Sequence, residues 1–315
     1  MSGFSAALRA VNARGNPIMV AGLCLGLAVP QLAHFFRPIL EPCVAMLLVS
    51  SLLRMRWGAI GQQMRRPAQA LALSVFIVIL APLLLWPLCQ LLGLPRWLSE
   101  VMFLAACAGP IMASPLFAQM LRLDAPLTVA VVVATTLIMP VSLPLLGRYL
   151  PGIEFDIPLD AFLLRVSIFI IMPFLLSALA KWLIGTERLE RNGQEIGGLT
   201  VIMLFFFGMS VMDGAQARLI AAPLDILGLL LAAFALNAFL QLIAIAAFFW
   251  QGAGLALTAA QASGNRNVGL VLGLLGAAAG QDFVLFVAAA QLPMFLTPIL
   301  LPLFYSRFSP AMAGR

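Results

Sequence analysis

The stretch Gln261-Ala-Ser-Gly-Asn-Arg-Asn-Val-Gly-Leu270 gathers the side chains best suited to chemistry. It lies inside an apolar region long enough to be a membrane-spanning helix. An arginine at bilayer depth costs roughly 2.5–3.5 kcal/mol on insertion scales, so polar residues placed there usually line a cavity or pathway. Three roles suit Arg266, which is always charged and rich in donors. It can contact an anionic substrate, stand in for a bound cation, or pair with a carboxylate such as Glu41 or Asp213. Gln261, Ser263, Asn265 and Asn267 offer neutral oxygen and amide groups. The two asparagines suit either a solute site or the capping of half-helices. Covalent chemistry has no matching constellation: there is no Walker loop, histidine pair or nucleophile elbow, so no enzyme is expected. His34 is the single histidine, which excludes a histidine-based metal site. Cys24, Cys43, Cys89 and Cys107 sit in apolar runs without metal spacing and read as free buried thiols. No metal and no cofactor is expected.

These side chains need membrane helices to position them. Of 315 residues, 63% are hydrophobic and 10% charged, against about 45–50% and 25% in soluble domains. Apolar runs near 20 residues without two-residue alternation point to helices rather than barrel strands. Ten spans are expected, at about 16–36, 37–55, 67–93, 97–121, 125–147, 158–183, 196–213, 222–250, 253–279 and 281–305. The first is read as a span rather than a signal peptide, because its apolar run is too long and no cleavage site follows. The longest polar connection, 185–195, reads as a solvated loop. With this topology one side carries Arg9, Arg14, Arg54, Arg56, Arg65, Arg66, Arg122, Lys181, Arg188, Arg191, Arg307 and Arg315, and the other Arg37, Arg96, Arg148 and Arg218. That asymmetry places both termini in the cytoplasm, for a multi-pass protein of the cell inner membrane. Basic clusters are lacking, so nucleic acid is not a partner; the lipid bilayer is. Nothing calls for an oligomer, and a monomer is the expectation. Arg165 and Asp160, near a membrane edge, are expected to snorkel. Asn237 and Gln241, one turn apart in span eight, and Gln291 are open to two readings, packing between helices or lining a pathway.

Two spans cannot run unbroken. In span four, Gly109, Pro110 and Pro115 interrupt the helix, because each proline lacks an amide hydrogen and clashes with the preceding turn. In span nine the interruption is expected at Ser263–Gly269, with Gly264 and Gly269 as its glycines. A shift of about 153 residues carries one interruption onto the other, and Pro140 onto Pro293. The halves 1–153 and 154–315, with five spans each, are then inverted repeats. Interrupted spans at equivalent places in inverted repeats are the best sequence pointer to a transporter's binding site. Freed carbonyls there attract cations and freed amides attract anions.

The interruptions carry a family resemblance. Cys107–Pro115 is similar to the Gly-Gly-Thr-Ala-Ser-Asn break of the bile acid:sodium symporter family, within the bile acid/arsenite/riboflavin transporter superfamily. Leu123–Pro140 resembles that family's fifth helix, and Gly264-Asn-Arg-Asn-Val-Gly-Leu270 its Gly-Met-Gln-Asn-Ser-Gly-Leu. The resemblance implies an all-α membrane fold of ten helices. Spans 1, 2, 6 and 7 would form a panel domain and spans 3–5 and 8–10 a core domain. Spans 4 and 9 would cross in the core, and substrate would bind between the domains.

The departures make this a divergent member. The family holds two sodium ions behind the crossing, yet the acidic ligand position falls on Ala262 and a glutamine position on Ile77. The glutamine before the asparagine becomes Arg266. The Ser-Asn pair of span four falls on Ser114-Pro115 or, one residue earlier, on Ala113-Ser114. In span five the serine position is Thr128 and the threonine position Val132, with Thr135 and Thr136 remaining. Sodium needs several hard oxygen ligands, and a fixed like charge at ~4 Å repels by about 4 kcal/mol at an effective dielectric near 20. Coupling to two sodium ions is therefore not expected, and Arg266 is expected to take a sodium's place against freed carbonyls. The reading is a secondary transporter of a small organic anion working by alternating access, with Ser114, Thr128, Thr135, Thr136, Gln261, Ser263, Asn265, Arg266 and Asn267 at its site. The alternatives are a proton-coupled or uncoupled exporter of the same fold, and a non-transporting membrane sensor or scaffold.

Overall fold

The structure, a computed structural model, describes residues 3–54, 67–149 and 157–305. Arg56, Arg65, Arg66, Arg307 and Arg315, used above for orientation, lie outside the described residues. In chain order the helices are α1 Gly3–Ala13, α2 Gly15–Ala28, α3 Pro30–Arg54, α4 Pro67–Leu91, α5 Arg96–Ala106, α6 Ser114–Met120, α7 Ala125–Tyr149 and α8 Leu159–Ile184. They continue with α9 Thr186–Arg191, α10 Gly193–Val211, α11 Ala215–Ala221, α12 Pro223–Phe248, α13 Ala253–Gly264, α14 Val268–Leu275 and α15 Gly280–Tyr305. Among the described residues, six helical runs are long and apolar enough to cross a membrane: α3, α4, α7, α8, the run through α10 and α11, and α12 with the short turn after it. Only 22% of the apolar window of α8 is buried within the protein, so the rest of that surface needs lipid rather than water. The chain is a multi-pass membrane protein.

Two differences from the sequence reading have local causes. The first span is interrupted at Val29, which is extended (φ −126°, ψ 81°). Pro30 follows at the first position of α3, and a proline disfavours helical backbone in the residue before it. The chain then stays helical through the expected connection, tightening to a 3-10 turn at Arg37–Ile39. Likewise 185–195 is not a loop throughout. Thr186–Arg191 forms α9, whose Leu189 is buried.

The chain divides into two compact units, each drawing on both halves. The first comprises Met1–Met55, Ile157–Leu227 and Leu272–Ala288. Here α10 packs on α1, α2 and α3, and α3 also packs on α8. Gly22 and Gly26 make the α2–α10 approach close, because a Cβ at either would meet the backbone of Phe205 or Met209. Such small residues a turn apart are how helices associate in lipid. Ser50 and Thr200 share a buried hydroxyl hydrogen bond between α3 and α10.

The second unit comprises Arg56–Asp156, Gly228–Val271 and Ala289–Arg315. In it α4 packs on α5 and α7, and α6 packs on α7 and α13. Edge-on ring pairs join α4 to its neighbours, Trp86 with Phe103 of α5 at 5.7 Å and Phe76 with Phe248 of α12 at 5.4 Å. This unit contains both helix interruptions, and so the candidate site.

Candidate functional site

Where the two interruptions meet, extended backbone replaces helix. α5 ends at Ala106 and α6 begins at Ser114; α13 ends at Gly264 and α14 begins at Val268. Pro110 and Arg266 face each other in an antiparallel bridge. The Asn267 amide donates to Gly109 O and the Ile111 amide to Asn265 O, both at 2.8 Å. The bonds come from the residues on either side of the facing pair, so this is the non-hydrogen-bonded position of an antiparallel ladder. Pro110, with no amide hydrogen, sits where none is needed. Gly109 permits the close approach to α7, since a Cβ there would lie 2.5 Å from Thr135 Oγ1. Gly264 does the same against Gln241 Cγ, also at 2.5 Å.

Arg266 is 6% exposed and its guanidinium ties three segments together. Nη1 donates to Ile77 O at 2.8 Å and to Ala108 O at 2.6 Å, and Nη2 to Ser263 Oγ at 3.3 Å. Both carbonyls are free for a physical reason. Ala108 lies just past the end of α5, where carbonyls have no helical partner and the helix dipole is negative. Ile77 lies in a π-helical turn, Phe76–Leu80, where the Ala81 amide bonds Phe76 O. Pro82, next in line to reach the Ile77 carbonyl, has no hydrogen to give. Two charge-assisted bonds at about 1.5–3 kcal/mol each offset the roughly 2.5–3.5 kcal/mol insertion cost of the arginine. Pairing with Glu41 or Asp213 does not occur: Glu41 pairs with Arg165, and Asp213 with Arg37 and His34. Arg165 in turn does not snorkel. It donates to Glu41 at 3.2 Å and to Gly273 O at 3.0 Å, whereas Asp160 is exposed.

The other predicted residues divide into those at the break and those beside it. Asn265 Nδ2 donates to Gln261 O at 3.0 Å, at the end of α13. Asn267 Oδ1 accepts from the Leu270 amide at 3.3 Å, capping α14. Both asparagines therefore cap half-helices. Thr128, Thr135 and Thr136 are buried on α7, but each hydroxyl donates to a carbonyl four residues back: Asp124, Val131 and Val132. In a helix without water this is the nearest acceptor. Ser114 is fully buried at the start of α6. Pro115 is a correction: it stands in the first turn of α6, where a proline is tolerated, and is not itself a break. Gly269 is another, being the second residue of α14. Hence the second interruption is confined to Asn265–Asn267 between two helices.

Asn237 and Gln241 hold the break from α12. Gln241 Nε2 donates to Asn237 Oδ1 at 2.6 Å, and Asn237 Nδ2 donates to Gly264 O at 2.8 Å. The Ile77 and Ala108 carbonyls were the residues missed as partners. Pro82, five residues beyond Ile77, was the signal for the first. Among the described residues, Ser114 Oγ, both amide atoms of Gln261, Asn265 Oδ1 and Arg266 Nε are buried without a hydrogen-bond partner. Few native buried polar atoms remain so, and here they concentrate around the two breaks.

Comparison with known proteins adds the family. Curated proteins yield no match to this chain. The profile described as the Sodium Bile acid symporter family matches residues 41–223. The matched region includes the break between α5 and α6 and stops before Arg266. Covering more than half of the sequence, that match shows that the chain belongs to the sodium bile acid symporter family, a family of membrane transporters.

Proposed function

We propose that the protein is a secondary transporter of a small organic anion, working by alternating access and not coupled to two sodium ions. The observation that carries this reading is the Arg266 guanidinium on the carbonyls of Ile77 and Ala108. A fixed cation on freed carbonyls does there what a bound cation would do. It neutralises the carbonyl dipoles and holds two interrupted helices and α4 together. No metal needs to enter for the crossing to be assembled.

The anion preference rests on charge. The second unit has four carboxylates in its sequence, Glu100, Asp124, Glu154 and Asp156. Glu100 pairs with Arg96 at 2.9 Å, and Asp124 caps α7 through the Leu127 amide at 2.9 Å. Among the described residues, dipoles rather than a carboxylate balance the buried charge of Arg266, which leaves a positive potential in a low-dielectric setting. The unpartnered Ser114 Oγ, Gln261 Nε2 and Arg266 Nε supply neutral and cationic donors beside it, whereas Gln261 Oε1 and Asn265 Oδ1 can only accept. In this reading the second unit corresponds to the core and the first to the panel. The halves 1–153 and 154–315 are inverted repeats, and both termini face the cytoplasm of a monomer in the inner membrane.

The test is thermal stabilisation of the purified protein across a panel of metabolites, with sodium or with choline as the cation, followed by flux of each hit in proteoliposomes. Stabilisation grows with ligand concentration over dissociation constant, so substrate and ion dependence are read together. The expected hits are carboxylates or other small anions, equal in both salts. Hits confined to cations, or flux that requires sodium, would overturn the reading.

A further inference from the structure

Within the first unit, α1 carries its polar side chains on the wrong side for a helix in water. Ser5, Arg9 and Asn12 stand at i, i+4 and i+7 and so share one helix face. That face is turned to α10. Ser5 Oγ and Arg9 Nε both donate to Glu195 Oε1 at 2.7 Å. Asn12 lies on Gly197, where a Cβ would collide with its carboxamide. The exposed residues of α1 are glycine, alanine and phenylalanine: Gly3, Phe4, Ala6, Ala7, Ala10 and Ala13. Phe4 is 74% exposed, and no residue of α1 is buried. A helix on a soluble surface turns its apolar stripe to the core and its polar face outward. α1 does the reverse.

Its placement matches. Ser5, Leu8, Arg9 and Asn12 all meet residues 195–198 of α10, Leu8 through its carbonyl against Gly198. At about 1.5 Å per residue, Ser5 to Asn12 covers about 10 Å of α1, but 195–198 only about 4.5 Å of α10. α1 therefore lies across the start of α10 rather than alongside it. Arg14, non-helical at φ −107° and ψ 27°, makes the bend. α2 then follows α10 in parallel, from Gly15 on Val201 to Gly26 on Met209. The start of a span is where hydrocarbon gives way to headgroups. Trp182, 79% exposed in the last turn of α8, stands at the same end, as tryptophans at a membrane interface do. α3 runs back along α10, with Ser210 bonding Phe36 O and Ser50 bonding Thr200, so Arg54 reaches this end too. Here Arg14, Arg54, Lys181, Arg188 and Arg191 stand against Glu187 and Glu190, while Arg9 and Glu195 pair at 2.6 Å.

We infer that α1 is an interfacial helix whose alanine and phenylalanine face lies in one phospholipid leaflet, among the acyl chains just below the headgroups, with the surrounding basic residues at the phosphates. Only the membrane class of the chain is required for this, not the transport reading. An amphipathic helix in the plane of the interface buries its apolar face in the leaflet and keeps its polar face out of it. In α1 the polar face is satisfied by α10 instead of water. Arg9 and Glu195 neutralise each other, so no unpaired charge is drawn toward hydrocarbon. Gly197 and Gly198 let the two helices approach closely, as small residues do in lipid. Charge selects lipid over a second copy of the chain. The excess of basic residues complements phosphate, whereas the same excess on a second copy would repel it. α1 then sets the depth at which this end of the first unit sits in the bilayer.

The test is power-saturation electron paramagnetic resonance on the full chain in vesicles of phosphatidylcholine and phosphatidylglycerol. Cys24 and Cys43 are replaced by serine, and the buried Cys89 and Cys107 are left in place. Phe4→Cys, Ala7→Cys and Ala10→Cys carry a nitroxide in turn. Glu187→Cys is the reference outside the hydrocarbon, and Leu175→Cys, at a 59% exposed position midway along α8, is the reference within it. Relative to the Glu187 label, the three α1 labels should collide several-fold more often with dissolved oxygen than with a water-soluble nickel chelate. A preference for nickel at all three would put the face in water and overturn the inference. Low access to both reagents, with spin–spin broadening that fades on dilution with unlabelled protein, would show a second copy covering the face and overturn it equally. In either case the Leu175 label should still report lipid, so the membrane class is tested apart from the placement of α1.

Discussion

Arg266 carries the account at the scale of single residues. Replacing it with alanine leaves the carbonyls of Ile77 and Ala108 buried and unpaired. At about 1–3 kcal/mol per orphaned group, Arg266→Ala should cost roughly 2–6 kcal/mol of stability. Thermal or denaturant unfolding in detergent would measure it, and an unchanged stability would mean that the guanidinium does not hold the crossing. Gly109 is a second point. Its absent Cβ would sit 2.5 Å from Thr135 Oγ1, so Gly109→Ala should cost about 1–3 kcal/mol by overpacking. Adding Thr135→Ala should recover most of that cost, because the two positions share one contact and couple. A strictly additive double variant would show that the strain lies elsewhere. The residues of the site were legible in the sequence as polar groups in an apolar run, but their partners were not. The Ile77 carbonyl is 189 residues from Arg266, and no side-chain pattern marks a free backbone oxygen. Only Pro82 hinted at it. The threonines of α7 were legible as polar and buried, yet each hydroxyl turns to its own helix, a choice settled by local geometry.

At the scale of elements, the break between α13 and α14 depends on caps from both sides. Asn267 caps α14 through Leu270, so Asn267→Ala should cost ~1 kcal/mol, typical for the loss of an N-cap. Asn237 holds Gly264 O from α12. Asn237→Leu should leave that carbonyl unpaired and speed amide exchange at Asn265–Asn267 before it affects global unfolding. Unaltered local exchange would show that α12 does not support the break. That spans four and nine are interrupted was legible from proline and glycine. The limits were not: Pro115 opens α6 and Gly269 lies within α14. Proline stops a helix only where its missing hydrogen was needed, and at the first turn none is. The same distinction explains the first span, where Pro30 begins α3 and the distortion falls on Val29.

At the scale of the whole molecule, the membrane class and the six long apolar helices found among the described residues were legible in the hydropathy pattern, because lipid requires long apolar helices. How the spans group was not. The compact units cut α12, α14 and α15 rather than falling between them, and only long-range ion pairs mark those helix ends. The family match covers residues 41–223, which leaves the segment containing Arg266 to be judged on its own chemistry. In the proposed reading a fixed charge in that segment replaces a site for a mobile one, and the consequence concerns the whole protein: its stability should ignore sodium. The direct measurement is the midpoint of thermal unfolding as sodium chloride is exchanged for choline chloride at constant ionic strength. The account predicts a midpoint that does not move. A saturable rise with sodium, the signature of a bound ion, would contradict it.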